Sequence, residues 1–418
     1  MLFNSNLGTK KGLTFCLVLA LSGCSDSSDS KAGADFNTGI TDDDDNTSEF
    51  DQTRLLTDLT THVFIPSVQS FESLTADLIS NVSDYCQAIE QNSADVATAK
   101  TNAQSSWINV MNQWQKIEVM QVGPLTTNDA KLRNAIYSWP VTNQCAVDQD
   151  VGHFELGTIN DNAYDITRRT VTRRGLDAAE YLLFNDDLNH SCSSDSLAPS
   201  LWNQRSESER SIARCNFVSE LATDINNSAK ELTLAWTSDV TGYQTVLANA
   251  GNEGNPFDSA QAAINHITDA MFYIDSVTKD AKLAAPIGLA DNSCGNAACV
   301  DDIESLLSDN AINNVRNNLV ALQSLFLGAP KGTEAQGFDD YLIAVDAQEL
   351  ATTMATDIQA AIDATHAFSG SMTDAVNASP EKVQALHQAV KTVTDNLKSL
   401  FITYLSLELP LTSAGDAD

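Results

Sequence analysis

Basic residues are scarce in this chain of 418 residues: 23 Lys and Arg stand against 56 Asp and Glu, a formal net charge of −33. A polyanion of that size repels nucleic acid and anionic lipid head groups, which excludes both as partners held by charge. Long apolar runs are also missing. The longest, Leu13–Leu21, has nine residues, too short to cross a bilayer core that needs about 20. There is no HExxH, no G-x-S-x-G, no Walker loop and no dinucleotide-binding glycine pattern, which argues against most hydrolase, kinase and dehydrogenase chemistry. Alternating β-patterns of useful length are absent, and no two cysteines form a CxxC pair.

What is present begins with an export address. Lys10 and Lys11 supply a positive segment ahead of the apolar run, which ends in Leu21-Ser22-Gly23-Cys24. Small residues before a cysteine form a lipobox, so residues 1–23 read as a lipoprotein signal peptide and Cys24 as the lipidated residue. Ser25 follows in place of Asp, which favours transfer to the outer membrane, facing the periplasm. Residues 24–52 are then an acidic tether rich in Ser, Asp, Gly and Thr, disordered by composition. The run Asp42–Asp45 lacks EF-hand spacing and its glycine. Removing residues 1–23, which hold both lysines and no acid, takes the net charge to −35.

Six further cysteines, Cys86, Cys145, Cys192, Cys215, Cys294 and Cys299, point to three disulfides in an oxidising compartment. Six allow about 15 connectivities. Pairing of neighbours is the simplest: Cys86–Cys145, Cys192–Cys215 and Cys294–Cys299.

From about Leu55 the apolar spacing is helical. Leu55, Leu59 and Val63 start a stripe that Pro66 interrupts, and residues 96–120 read as a long helix stopped by Gly123-Pro124. Shorter helices are expected at 128–138 and 168–184, then a helix from near Cys215 to about 238. Ile264 to Val277 and Ile312 to Phe326 repeat at three- and four-residue steps, and a last helix runs from about Glu381 to Leu405. The fold class is all-α, with two helical bundles of about four long helices each. The first spans residues 53–188 and the second 213–410, separated by a polar insertion at 189–212 and followed by a tail at 411–418.

One polar cluster stands out. Trp114 and Glu118 lie one turn apart ahead of Gly123-Pro124, Arg133 leads into Tyr137-Ser138-Trp139-Pro140, and Arg173-Arg174 precede Gly175-Leu176-Asp177-Ala178-Ala179-Glu180-Tyr181-Leu182-Leu183-Phe184. Asp177 and Glu180, at i and i+3, share a face of an otherwise apolar helix. Acids there cost several kcal/mol unless paired or binding a cation. Arg133, Arg173 and Arg174 are the candidate partners, and a buried bridge that merely locks the helices is the plainer alternative. Of the histidines, His153 reads as a loop residue, and His266 with Asp269 (i, i+3) as a satisfied groove pair.

These segments resemble the imelysin family of bacterial periplasmic lipoproteins, whose historical name is that of insulin-cleaving peptidases. The likeness rests on W-x-x-x-E-x-x-x-x-G-P at 114–124, R-x-x-x-Y-S-W-P at 133–140 and G-L-D-A-A-E-Y-L-L-F at 175–184. It continues through Lys282-Leu283-Ala284-Ala285-Pro286-Ile287-Gly288, residues 317–328 and Gly337-Phe338-Asp339. The family signature is G-x-H-x-x-E: Gly175 and Glu180 match, and Asp177 stands where the histidine belongs. The resemblance implies periplasmic binding in an iron-associated setting, of an ion, a metal-bearing ligand or a polysaccharide. Asp at the histidine position favours hard cations such as calcium, magnesium or ferric iron over zinc. The expected site is a cleft holding a small ligand or a divalent or ferric cation between Glu118, Arg133, Asp177 and Glu180, with Asp177 and Glu180 as metal ligands and no catalytic residue. A metallopeptidase and a purely structural lipoprotein are the competing readings.

Overall fold

The computed structural model describes residues 50–193, 202 and 204–410. The lipobox, Cys24, nearly all of the tether, part of the insertion and the tail lie outside the described residues. Described secondary structure is almost wholly helical, as the spacing predicts. It comprises α1 (Gln52–Leu59), α2 (Ile65–Glu90), α3 (Val96–Glu118), α4 (Thr127–Ile136), α5 (Gln144–Leu156), α6 (Gly175–Phe184) and α7 (Glu207–Thr237). It continues with α8 (Tyr243–Ala248), α9 (Ala260–Met271), α10 (Ala311–Phe326), α11 (Phe338–Ala344), α12 (Gln348–Ala367), α13 (Met372–Ala378) and α14 (Pro380–Asn396). A two-residue antiparallel ladder, Thr158–Ile159 with Asn162–Ala163, is the β-structure among the described residues.

Several expected boundaries move for identifiable reasons. Pro66 does not interrupt its stripe: it sits in the first turn of α2, directly after a wide π-turn at Thr60–Phe64, where a missing N–H removes little. The helix expected at 168–184 is shorter, because residues before Gly175 form only 3₁₀ turns at Ile166–Arg168 and Val171–Arg173. His153 belongs to α5 and not to a loop; Asn143 caps that helix by accepting the Ala146 N–H at 2.9 Å. Helix α7 begins eight residues before Cys215, at a capping box in which Ser206 and Glu209 satisfy each other's backbone amides.

Helix α2 packs along both α3 and α7, and α6 lies against α7. Helix α10 packs between α3 and α12, and α14 covers a π-helical segment at Ile274–Ala284. The large buried aromatics Phe64, Phe71, Trp107, Trp114, Phe217 and Trp236 fill the α2–α3–α7 side; Phe326, Phe338 and Phe401 fill the other.

Three disulfides are present, but two of the neighbour pairings are wrong. Cys86 joins Cys215, Cys145 joins Cys192, and only Cys294–Cys299 pairs as expected. Packing of α2 along α7 sets Cys86 beside Cys215 despite a separation of 129 residues. Proximity in the chain misleads wherever helices return alongside one another.

Candidate functional site

Helix α6 starts where a side chain could not. Gly175 has φ +80°, and a Cβ there would lie 2.6 Å from the Ile136 carbonyl oxygen. The glycine therefore lets α6 begin hard against the end of α4. That approach delivers the backbone N–H of Ser138 to Asp177 Oδ2 at 2.8 Å. One turn on, Glu180 Oε1 accepts the Ser308 N–H at 2.9 Å. Both carboxylates are 8% exposed, and both line the same cavity of about 770 Å³.

None of the three candidate arginines reaches them. Arg173 joins Arg169 on Asp150, at 3.0 and 2.8 Å. Arg174 forms a two-pronged pair with Asp224, at 2.6 and 2.9 Å. Arg133 makes no ion pair among the described residues, and its Nε is buried without a hydrogen-bond partner; its charge acts on the Tyr273 hydroxyl. Among the described residues no cationic side chain lies within ion-pair distance of Asp177 or Glu180. Burial raises Asp177 to about 8, with Glu180, Glu304 and Glu118 adding to the rise against the Ser138 amide. Burial raises Glu180 to about 7, opposed by the Ser308 donors.

Glu118, expected in the cleft, lies beneath it. Its Oε2 accepts the Tyr273 hydroxyl at 2.6 Å and sits 3.3 Å from Lys282 Nζ. Lys282 also contacts Glu304 Oε1 at 3.1 Å, Gln115 Oε1 at 2.5 Å and Asn318 Oδ1 at 3.0 Å. Tyr137 donates to Glu304 Oε1 at 2.6 Å. One buried ammonium thus serves two buried carboxylates, and burial pushes the Glu118 carboxyl up despite Lys282. Glu118 and Arg133 do not line the cavity. Sequence reasoning missed the roles of Lys282 and Glu304; a lysine leading the apolar run Leu283–Ile287 was the available signal.

Trp139, Pro140, Thr142 and Gln144 form one wall of the cavity, Ala281, Ala285, Ile303 and Leu306 another, and Asp291 and Asp301 lie on its exposed rim. Asp280 and Asp302 also line it. Among the described residues no His, Lys, Arg or Cys contributes to the lining. His266 lies elsewhere, half-buried against Phe257, with burial lowering its pKa.

The residues do not assemble a metal cage. A hard cation takes about six to eight oxygen ligands, and no group of three or more His, Cys, Asp or Glu is placed to hold one among the described residues. Asp177 and Glu180 could supply two of those oxygens, each from a carboxylate that already accepts a backbone amide.

The family model for imelysin, peptidase M75, matches residues 65–400. The chain belongs to the imelysin family. Two solved structures share its fold. One is a candidate iron-regulated protein A precursor from Parabacteroides distasonis, with 17% identity, TM-score 0.65, and 85% of this chain and 95% of that one covered. The other is an imelysin-like protein from Psychrobacter arcticum, with 14% identity, TM-score 0.63, and coverage of 87% and 99%. No curated protein matches. Several segments that carry the imelysin resemblance make contacts with one another or with the core: Trp114 packs on Phe71, Tyr137 and Lys282 meet at Glu304, and Gly175 admits α6 to the Ser138 amide.

Proposed function

We propose that this imelysin-family chain is a non-enzymatic binding protein that takes a positively charged ligand, a metal ion or a molecule bearing a cation, at Asp177 and Glu180. The observation that carries this reading is the pair of nine-tenths-buried carboxylates lining a cavity with no cation beside them. Leaving buried carboxylates unpaired costs several kcal/mol, which a cationic ligand would offset. The iron-regulated relative agrees with a setting in which cations matter, although regulation by iron states when a protein is made and not what it binds. The lipobox supports a lipid-anchored location at the outer membrane, and no described helix is long and apolar enough to cross a membrane.

Calorimetric titration of metal-free protein with ferric, ferrous, calcium and zinc ions, and with small organic amines, tests the reading. At least one of these is expected to give heat that the doubly substituted Asp177→Asn/Glu180→Gln chain does not. No difference for any of them overturns it. Cleavage of an unstructured protein by purified chain, abolished by Glu180→Gln, would instead establish the peptidase activity the family description names.

A further inference from the structure

We infer that the cavity above α6 is built for a flexible organic dication or polycation, an aliphatic di- or polyamine, rather than for a bare metal ion. This rests on the cationic-ligand reading and narrows it.

Size is the first argument. A volume of about 770 Å³ would hold on the order of 25 waters at roughly 30 Å³ each, so a single ion would leave it almost wholly filled with solvent. Donor count is the second: the floor offers two carboxylates and no third acid to close a coordination shell. An ammonium asks for less. It needs up to three acceptors at hydrogen-bond distance, and Asp177 Oδ1 accepts no hydrogen bond among the described residues.

Charge distribution is the third argument, and it sets the ligand's shape. Of the six acids in the lining, one has a cationic partner and one, like Asp177 and Glu180, is held by a serine amide. Asp280 pairs with Lys279 at 3.2 Å, and Asp302 accepts the Ser293 N–H at 2.8 Å. Asp177 and Glu180 remain at the floor, and Asp291 and Asp301 at the exposed rim. The same lining holds the apolar side chains Trp139, Ile303 and Leu306 among polar ones such as Thr142, Gln144 and Ser276. Acids at a buried and at an exposed part of one cavity, with apolar side chains in the same lining, complement a molecule charged at both ends with methylenes between.

Calorimetry at about 0.15 M salt, where diffuse attraction to the acidic surface is screened, tests this with spermidine, 1,4-diaminobutane, butylamine, calcium and zinc. Affinity is expected to rise about tenfold from butylamine to diaminobutane and again to spermidine, one charge-assisted contact at each step. Asp177→Asn/Glu180→Gln should abolish binding of all three amines. Asp291→Asn/Asp301→Asn, both at exposed positions, should weaken diaminobutane about tenfold and leave butylamine unchanged. Diaminobutane no tighter than butylamine, or indifferent to the rim substitutions, overturns the two-ended ligand. Metal binding without amine binding overturns it while leaving the cationic cleft intact. Amine binding that survives the floor substitutions is surface attraction and overturns both readings, as does no binding at all. Circular dichroism melting of each variant confirms that a loss of binding is not a loss of fold.

Discussion

Two sets of buried acids meet on α6 and are treated in opposite ways. On one side of Tyr181 lies a fully matched set. Asp148 receives Arg214 at 3.0 Å, the Tyr181 hydroxyl at 2.8 Å and the Ser191 N–H at 2.7 Å, while Asp150 and Asp224 each have arginine partners. On the other side, Asp177 and Glu180 have backbone amides and no cation. Desolvation is comparable in the two places, so its cost is met within the fold in one and left unmet in the other. A buried carboxylate with its own arginine fixes helices; under the proposal above, one without a counter-charge is where a ligand supplies it.

The comparison breaks if the matched set is not structural. Arg214→Ala should lower unfolding free energy by about 3–5 kcal/mol, because it strands the Asp148 charge. A urea denaturation loss below about 1 kcal/mol would show that the pair holds little.

The unmatched set should behave in reverse. Its native acids hold protons up to about 8 and about 7, above the unfolded values near 4. Their stability contribution is therefore fully present below about pH 4 and lost as pH rises through 7 to 8. Asp177→Asn/Glu180→Gln removes that loss. The variant should be more stable than the parent by several kcal/mol at pH 9 and indistinguishable from it at pH 4. Melting curves across that range check the sign; a variant less stable at pH 9 would mean that the carboxylates are paired after all.

Smaller effects sharpen the contrast. Cys294–Cys299 joins cysteines with a sequence separation of only 5 next to the cavity rim, so Cys294→Ala/Cys299→Ala should cost about 2 kcal/mol. Removing Cys145–Cys192, with a separation of 47 residues, should cost about 4. Guanidinium denaturation of the two variants gives the order. Tyr181→Phe, which deletes one bond to Asp148 at the border between the sets, should cost about 1 kcal/mol by the same measurement.

The all-α class was legible because apolar residues at three- and four-residue steps leave little choice of period. Asp177 and Glu180 were legible as a pair because i and i+3 share a helix face. Their partners were not. Arg173 and Arg174 precede them directly in sequence, yet the 3₁₀ turn and the extended residue before Gly175 aim both guanidiniums at acids on α5 and α7. Lys282 and Glu304 sit more than 160 residues beyond Glu118, among other charged residues (Asp275, Lys279 and Asp280; Asp301 and Asp302) that give no local sign of which ones meet it.

Sequence by itself determined the helical period, the even set of six cysteines and the placement of two acids on one apolar face, because each depends on the residues themselves or on neighbours close in the chain. Only the tertiary structure decided which cysteines join, which acids receive a cation, and that Asp177 and Glu180 open onto a cavity while Glu118 does not. Those outcomes depend on how α2, α6 and α7 return past one another, and pairwise electrostatics acts over a few ångströms of space whatever the distance along the chain.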